Sequence, residues 1–192
     1  ERVVIQKFGD MDQAIYDDKE EVERNVLEDR YEISKSMRFP QNIADIIVKT
    51  TLTPLFSDEK FTEWDSYRIA DICCGSGNFL LSAYEFIINR YIEYYMKNCL
   101  DMAIQKGLLI SDVGNNFKLS YEKKREILQN NIWGVDIDIL AVEVAKFSLL
   151  IKLIEDSSLY EMESFVKNNN CRILPSLDNN IKNGNSLVDE KY

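Results

Sequence analysis

The sequence predicts an α/β fold, in which three short parallel strands carry helices on their faces and a helical arm precedes them. Three observations carry this. From residue 67 onward, apolar runs of strand length alternate with apolar stripes at helical spacing, in the order strand, helix, insertion, strand, helix, strand. Such alternation gives parallel strands joined by helical crossovers. Each strand-like run leads into a polar segment rich in Gly, Asp or Asn, and sheets of this kind bind ligands at the C-terminal ends of their strands. Finally, 45% of the 192 residues are hydrophobic and 11% aromatic, which is enough to bury a core.

The elements follow in order. Val3–Ile5 suits a short strand, and Asp17–Glu32 is an acid-rich helix or arm with a weak stripe of Val22, Val26 and Leu27. Pro40 suits the first turn of a helix, where its missing N–H costs nothing. Ile43, Ile46, Ile47 and Thr50 then recur at helical spacing, with an end near Thr53–Pro54. Phe56–Trp64 reads as a polar linker, and Tyr67–Ile72 as a short buried strand. Cys73–Asn78 is a turn. Phe79–Asn98 is a helix whose apolar face is Leu80, Ala83, Tyr84, Ile87, Tyr91 and Tyr94. A tyrosine stripe at this spacing fits core packing better than a base-stacking platform. Asp101–Ser120 is loop or broken helix, Tyr121–Leu128 a short charged helix closed by Asn130-Asn131, and Ile132–Val135 a strand. Ile139–Ile154 is a helix apolar on most of its circumference. Ser157–Asn180 is loop-rich with a short helix near Tyr160–Val166, and Asn180–Lys182 is a third strand. The domain division is 1–62 for the arm and 63–192 for the sheet domain, with an insertion at about 99–130.

Composition excludes several chemistries. With no His, a Ser-His-Asp triad, a Cys-His pair and a histidine-liganded metal are all impossible within these residues. Cys73, Cys74, Cys99 and Cys171 form no Cys-x-x-Cys pair and suit free thiols in a reducing cytoplasm. No metal site is expected. No apolar run approaches the roughly 18 residues of a membrane span, so no membrane partner is expected either. A net charge of −10 opposes phosphate binding, which places any DNA-contacting surface in parts of a parent protein outside this chain. The opening residue is Glu1 rather than Met, as in a processed or excised segment.

Three segments carry candidate chemistry. Asp71-Ile72-Cys73-Cys74-Gly75-Ser76-Gly77-Asn78-Phe79 follows a strand and opens a helix. Glycines admit a ligand close to backbone, and a helix start offers free N–H groups. Leu80 stands where a dinucleotide signature has its third Gly. An acid at the strand end suits a ligand with an ammonium group, such as methionine. Taken alone, the segment also fits a tight structural turn. Gly134-Val135-Asp136-Ile137-Asp138 ends the next strand. Asp136 is placed to accept hydrogen bonds from the ribose hydroxyls of an adenosine, while Asp138 suits a helix cap. Asn183-Gly184-Asn185-Ser186-Leu187 reads by itself as a Gly-Asn turn, though a polar side chain there could meet an adenine edge.

In order and context these segments resemble adenine-specific DNA methyltransferases, closest to the large bacterial restriction-modification enzymes that fuse or pair methylation with restriction. That family has a Tyr/Phe-Thr-Pro segment before an isoleucine-rich helix, then Asp-Pro-Ala-Cys-Gly-Ser-Gly-Asn-Phe-Leu, Gly-Val-Asp-Ile-Asp with Ala-x-Glu-x-Ala-Lys, and Gly-Asn-Ser-Leu. Here stand Arg38-Phe39-Pro40, Asp71 to Leu80, Gly134 to Asp138 with Ala141 to Lys146, and Gly184 to Leu187. Ile72 and Cys73 replace Pro and Ala, and no Thr precedes Pro40. The family's catalytic Asn-Pro-Pro-Tyr/Phe is absent, since the three prolines, Pro40, Pro54 and Pro175, are never adjacent.

The resemblance implies a partial Rossmann-like methyltransferase fold that binds S-adenosyl-L-methionine and stops before the catalytic motif. By that analogy Asp71, Cys73, Gly75, Gly77, Asn78 and Phe79 hold the methionine end, with Phe39 and Pro40 closing it. Asp136 and Ile137 hold the ribose and flank the adenine, and Asn185 meets the adenine edge. No catalytic residue is expected in these residues, and the chain alone is expected to be inactive. The alternatives are a non-catalytic S-adenosylmethionine-binding or interaction module, and a methyltransferase acting on RNA or protein. In the family, by this resemblance, the first segment's strand lies mid-sheet, between Ile132–Val135 and a strand that delivers the catalytic motif; without that strand Tyr67–Ile72 is expected to be an exposed edge and to self-associate.

Overall fold

The structure, a computed structural model, describes residues 41–111 and 117–187. The expectations for Val3–Ile5, Asp17–Glu32, Phe39 and Pro40 fall outside the described residues. Helix α1 is Gln41–Leu52, followed by a 3-10 helix at Asp58–Ser66. Strand β1 is Ile69–Asp71, α2 is Asn78–Asn98 and α3 is Leu100–Gln105. A hairpin of β2 (Leu109–Ser111) and β3 (Phe117–Leu119) leads to α4 (Tyr121–Asn131). Then come β4 (Ile132–Asp136), α5 (Ile139–Ile154), α6 (Leu159–Asn169) and β5 (Ile181–Asn183).

The result is a mixed α/β architecture with a parallel sheet ordered β1-β4-β5 and a separate antiparallel hairpin. Asp71 pairs with Gly134, and Asp136 with Asn183, so the three strands finish at one end. Two buried asparagines set where β4 and β5 begin. Asn131 Nδ2 donates to the carbonyls of Trp64 and Tyr67 at 2.8 and 2.6 Å. Asn180 Nδ2 donates to those of Gln129 and Ile132 at 2.8 and 2.9 Å. Each gathers two carbonyls at an element boundary.

Helix α2 runs through the centre of the core. Leu80, Ala83, Tyr84, Ile87, Tyr91 and Tyr95 are all buried on one face, as 3.6-residue periodicity requires. The expected stripe ended at Tyr94, and the structure instead buries Tyr95 and stacks Tyr94 flat on Phe61, with ring centroids 3.7 Å apart. These tyrosines are core. Helix starts carry their own signals: Ser120 caps α4, Asp138 caps α5, and Ser158 with Glu161 forms a capping box on α6.

Four expectations are corrected. Phe56–Trp64 is no polar linker, because Phe56 and Trp64 are both fully buried. The polar residues between them turn outward on the 3-10 helix, while Phe56, Phe61 and Trp64 meet the rings of Phe86, Tyr91, Tyr94 and Tyr95. The isoleucine stripe of α1 is not its buried face. Ala44, Val48 and Leu52 are buried, whereas Ile43, Ile46 and Ile47 are exposed. Small Ala44 lets α1 approach α2, and Asp45 bonds the Ser82 hydroxyl at 2.8 Å, so the narrower stripe wins. Tyr67–Ile72 shortens to Ile69–Asp71, with Ala70 and Ile72 exposed rather than buried. Asp101–Ser120, expected as loop or broken helix, holds most of α3 and the paired strands β2 and β3, whose Leu109 and Leu119 are buried opposite each other.

Beside the aromatic cluster, Asp65 accepts from the Tyr91 hydroxyl at 2.6 Å and the Lys123 ammonium at 2.8 Å. Burial pushes its carboxyl up, but the two hydrogen bonds outweigh that and hold it below its usual value. Its contribution to stability is therefore present above the unfolded carboxylate pKa and is lost as pH falls through the lowered folded value.

The packing predicts contrasting costs. Trp64→Ala should destabilise the chain by about 3–5 kcal/mol in urea unfolding, by transfer and cavity together. Ile46→Ala should change stability by no more than about 0.5 kcal/mol. Equal losses at the two positions would show that the packed face of α1 has been misassigned.

Candidate functional site

The site is built from the loops that leave β1, β4 and β5. In the first, the Asp71 carboxylate accepts the Cys73 N–H at 3.1 Å. The Cys74 N–H donates to the Val135 carbonyl at 3.0 Å, so the turn stays fastened to β4 after β1 has ended. Gly77 begins α2 with φ 87, a left-handed conformation that favours glycine. A Cβ there would lie 3.0 Å from the Ala145 Cβ on α5. Gly77 thus sets both the turn and the approach of α2 to α5. As the cap residue it supplies no side-chain acceptor to the N–H groups that open α2.

The second loop lies against the first. A Cβ on Gly134 would stand 2.8 Å from Leu80 Cδ1 and 3.1 Å from Cys74 Sγ. This glycine is therefore a packing requirement, with the first turn seated directly on β4. Cys74 points inward, and its thiol is pushed up to about 11 by burial first and then by the charges of Asp71 and Asp136. It is inert near neutral pH. Cys73, its neighbour, is exposed.

Asp136 is the junction. Its Oδ2 accepts the Gly75 N–H at 2.7 Å, and its Oδ1 accepts the Asp138 N–H at 2.9 Å. Its backbone carbonyl accepts the Gly184 N–H at 2.9 Å and Asn183 Nδ2 at 3.1 Å. One residue thus bonds to all three strand-end segments. A carboxylate has about four acceptor positions, so two remain beyond the backbone bonds.

The site residues expected from sequence are distributed as follows. Asp71, Cys73, Gly75, Gly77, Asn78 and Phe79 lie on the first loop and the start of α2, Asp136 and Ile137 on the second, and Asn185 on the third. Phe79 packs partly into the core. Asn78 is exposed, and Ile72 and Ile137, each following a strand-end Asp, are 57% and 73% exposed. Asn185 is exposed and its side-chain oxygen accepts the Leu187 N–H at 3.0 Å, a local turn. Phe39 and Pro40 lie outside the described residues. Asn183, which carries no role in the sequence motif, reaches two carbonyls of the second loop with its side chain. Its place at the end of β5, in register with Asp136, is visible only once the strands are paired.

Among the described residues, no group of three or more His, Cys, Asp or Glu could hold a metal ion. No helix among them is long and apolar enough to cross a membrane. Two surface hollows, of about 330 and 230 Å³, lie elsewhere: one beside Lys146 and Phe147 of α5, the other beside Tyr121 and Phe165. Neither is lined by a residue of the three loops.

Comparison with known proteins extends this. The sequence pattern of the MmeI DNA-methyltransferase domain matches residues 59–190, which takes in all three loops. The type II restriction enzyme and methyltransferase RM.Eco57I of Escherichia coli is 33% identical over 189 residues, 98% of this chain and 17% of that protein. A Methanocaldococcus jannaschii protein provisionally named as a type II restriction enzyme and methyltransferase is 34% identical over 128 residues, 66% of this chain and 9% of that protein. The chain spans less than a fifth of the length of either relative. With its strand-end loops inside the matched region, the chain belongs to the family of the MmeI DNA-methyltransferase domain, shared with restriction-modification proteins.

Proposed function

We propose that this chain is the S-adenosylmethionine-holding part of a DNA adenine (N-6) methyltransferase with a Rossmann-like core, working within a longer restriction-modification protein. The observation that carries the reading is the Asp136 junction. It gathers three loops at the end of a parallel sheet where such folds take their ligands.

The residues fit that donor in charge and in room. Asp71 and Asp136 offer carboxylates to an ammonium and to a ribose diol, and Asp136 keeps acceptor capacity for the diol after its backbone bonds. The opening N–H groups of α2, with no side-chain cap, suit a carboxylate. A Cβ built on Gly75 or Gly184 would meet nothing within 4 Å, so ligand atoms can approach both backbones. Exposed Ile137 offers an apolar surface to an adenine face, with Asn185 at its edge. When bound, S-adenosylmethionine supplies a methyl group activated on a sulfonium. The chain's residues orient that donor, and holding reactants in line contributes much of such a rate. The adenine specificity rests on the family resemblance of the motif order. The target base has to leave the duplex to be reached. The groups that would grip it, with the basic surface that meets DNA, are assigned to the parent protein beyond these residues. The free cysteines fit a reducing, cytoplasmic setting.

Three outcomes follow. By titration calorimetry, S-adenosylmethionine should bind the chain weakly. Asp136→Ala should weaken it further by roughly tenfold or more, the equivalent of a lost charged hydrogen bond of about 1.5–3 kcal/mol. Equal binding by both proteins would remove the ribose assignment. The 192-residue chain alone, which lacks Asn-Pro-Pro-Tyr, should transfer no labelled methyl groups to adenine-containing duplex above background; incorporation would place catalytic groups within it. Third, β1 pairs only with β4 among the described residues, and it has no proline to blunt its open side. Concentrated samples should therefore self-associate in sedimentation velocity, and Ala70→Pro should reduce this. A chain that stays monomeric at high concentration would count against association through that edge.

A further inference from the structure

We propose that Asn183 is a positioning residue of this site, which fixes the loop presenting Asp136 and Ile137. The inference rests on the cofactor reading above and goes beyond it by assigning a role to a side chain that need not touch the ligand.

The β4–β5 ladder ends where Asp136 pairs with Asn183. Beyond it the chain turns into α5, whose first N–H groups are served by Asp138: its side chain accepts the Leu140 N–H at 2.8 Å. The carbonyls of Asp136 and Ile137 point the other way, toward β5. Asn183 Nδ2 donates to both, at 3.1 and 2.9 Å. An amide NH₂ has two hydrogens and can serve two acceptors at once. The Gly184 N–H adds a second donor to the Asp136 carbonyl. The peptide planes on both sides of Ile137 are thus held from β5. Those planes set the direction of the Asp136 carboxylate and of the 73% exposed Ile137 side chain. Asp138, in turn, holds Asp136 through its N–H, so the loop is gripped from both sides.

Residue type matters here. Aspartate has the same shape but offers only acceptors, and would set a carboxylate against two carbonyl oxygens. Alanine leaves the carbonyls to water. Asn183 is exposed, so its loss should not unfold the core. The two substitutions therefore separate a donor from a space-filler.

The experiment compares the wild-type chain with Asn183→Asp and Asn183→Ala. Amide hydrogen exchange across residues 136–142 reports the loop, exchange across α2 serves as the internal control, and titration with S-adenosylmethionine reports the site. The expected result is faster exchange at residues 136–142 in both variants, larger in Asn183→Asp, with α2 unchanged. Affinity should fall about tenfold in Asn183→Asp and less in Asn183→Ala. Wild-type exchange in the loop, or an Asn183→Asp that matches wild type while Asn183→Ala does not, would overturn the proposal. Faster exchange through α2 as well would also overturn it, since that marks a global structural role. If the wild-type chain binds no S-adenosylmethionine, the cofactor reading fails, and the exchange data decide the tether by themselves.

Discussion

The carboxylate of Asp136 accepts N–H groups from two segments that the sequence separates by more than sixty residues, Gly75 in the first loop and Asp138 in its own. The arrangement depends on this charge-assisted bridge. A three-residue β1 cannot by itself define where the following turn sits. The turn is defined because Cys74 continues the pairing to Val135, Gly134 leaves room for Leu80 and Cys74, and Asp136 captures the Gly75 N–H. Replace Gly134 by any larger residue and the turn must lift, carrying Gly75 away from its acceptor. The glycine and the acid of Gly-Val-Asp thus perform one task, close seating of the first loop on the second.

The same economy appears at the opposite end of the strands. Asn131 and Asn180 are buried side chains that satisfy carbonyls where helix or loop passes into strand. They fix the strand starts, while Asp136 and Asn183 fix the strand ends. With both ends held, strands of three to five residues keep their register, although short ladders are weakly specified on their own. The large aromatic cluster of Phe56, Phe61, Trp64 and Tyr91 braces α2 behind them. The helix that begins at the first loop is therefore anchored along its length.

How much of this could be read from the chain varies with the physical signal. Helix α5 was legible to its ends, because Asp138 announces the cap and apolar residues run unbroken in period to Ile154. The three strand ends were legible to within one residue, because Gly, Asp and Asn punctuate them. The face of α1 was not. Ile43, Ile46 and Ile47 are the stronger hydrophobes, but packing selects shape as well as hydrophobicity, and Ala44 gives α2 the closer approach. The Phe56–Trp64 segment misled because its aromatics, Phe56, Phe61 and Trp64, are spaced by five and then three residues among charges and show neither a 3.6-residue nor an alternating pattern. Asn183 was hidden for a different reason. Its role exists only across a parallel pairing, and no local pattern encodes a contact to residues 46 and 47 positions away.

The surface that remains is informative in the same terms. Helix α5 buries Val142, Ala145, Leu149 and Leu153 yet leaves Leu140, Val144, Phe147 and Ile151 exposed. A helix apolar on all sides is ordinarily covered on all sides. The exposed isoleucines of α1, and the side of β1 that meets no strand among the described residues, repeat the pattern. These surfaces are spread over several elements, whereas the strand-end loops form one self-braced unit with its own hydrogen-bond partners. The proposed division of labour follows from that contrast. On the proposed reading, the donor-holding geometry draws on Asp136, Asn183 and the two close-packed glycines Gly77 and Gly134. The exposed apolar faces of α1 and α5 stand outside that unit, and the chain spans less than a fifth of the length of either relative.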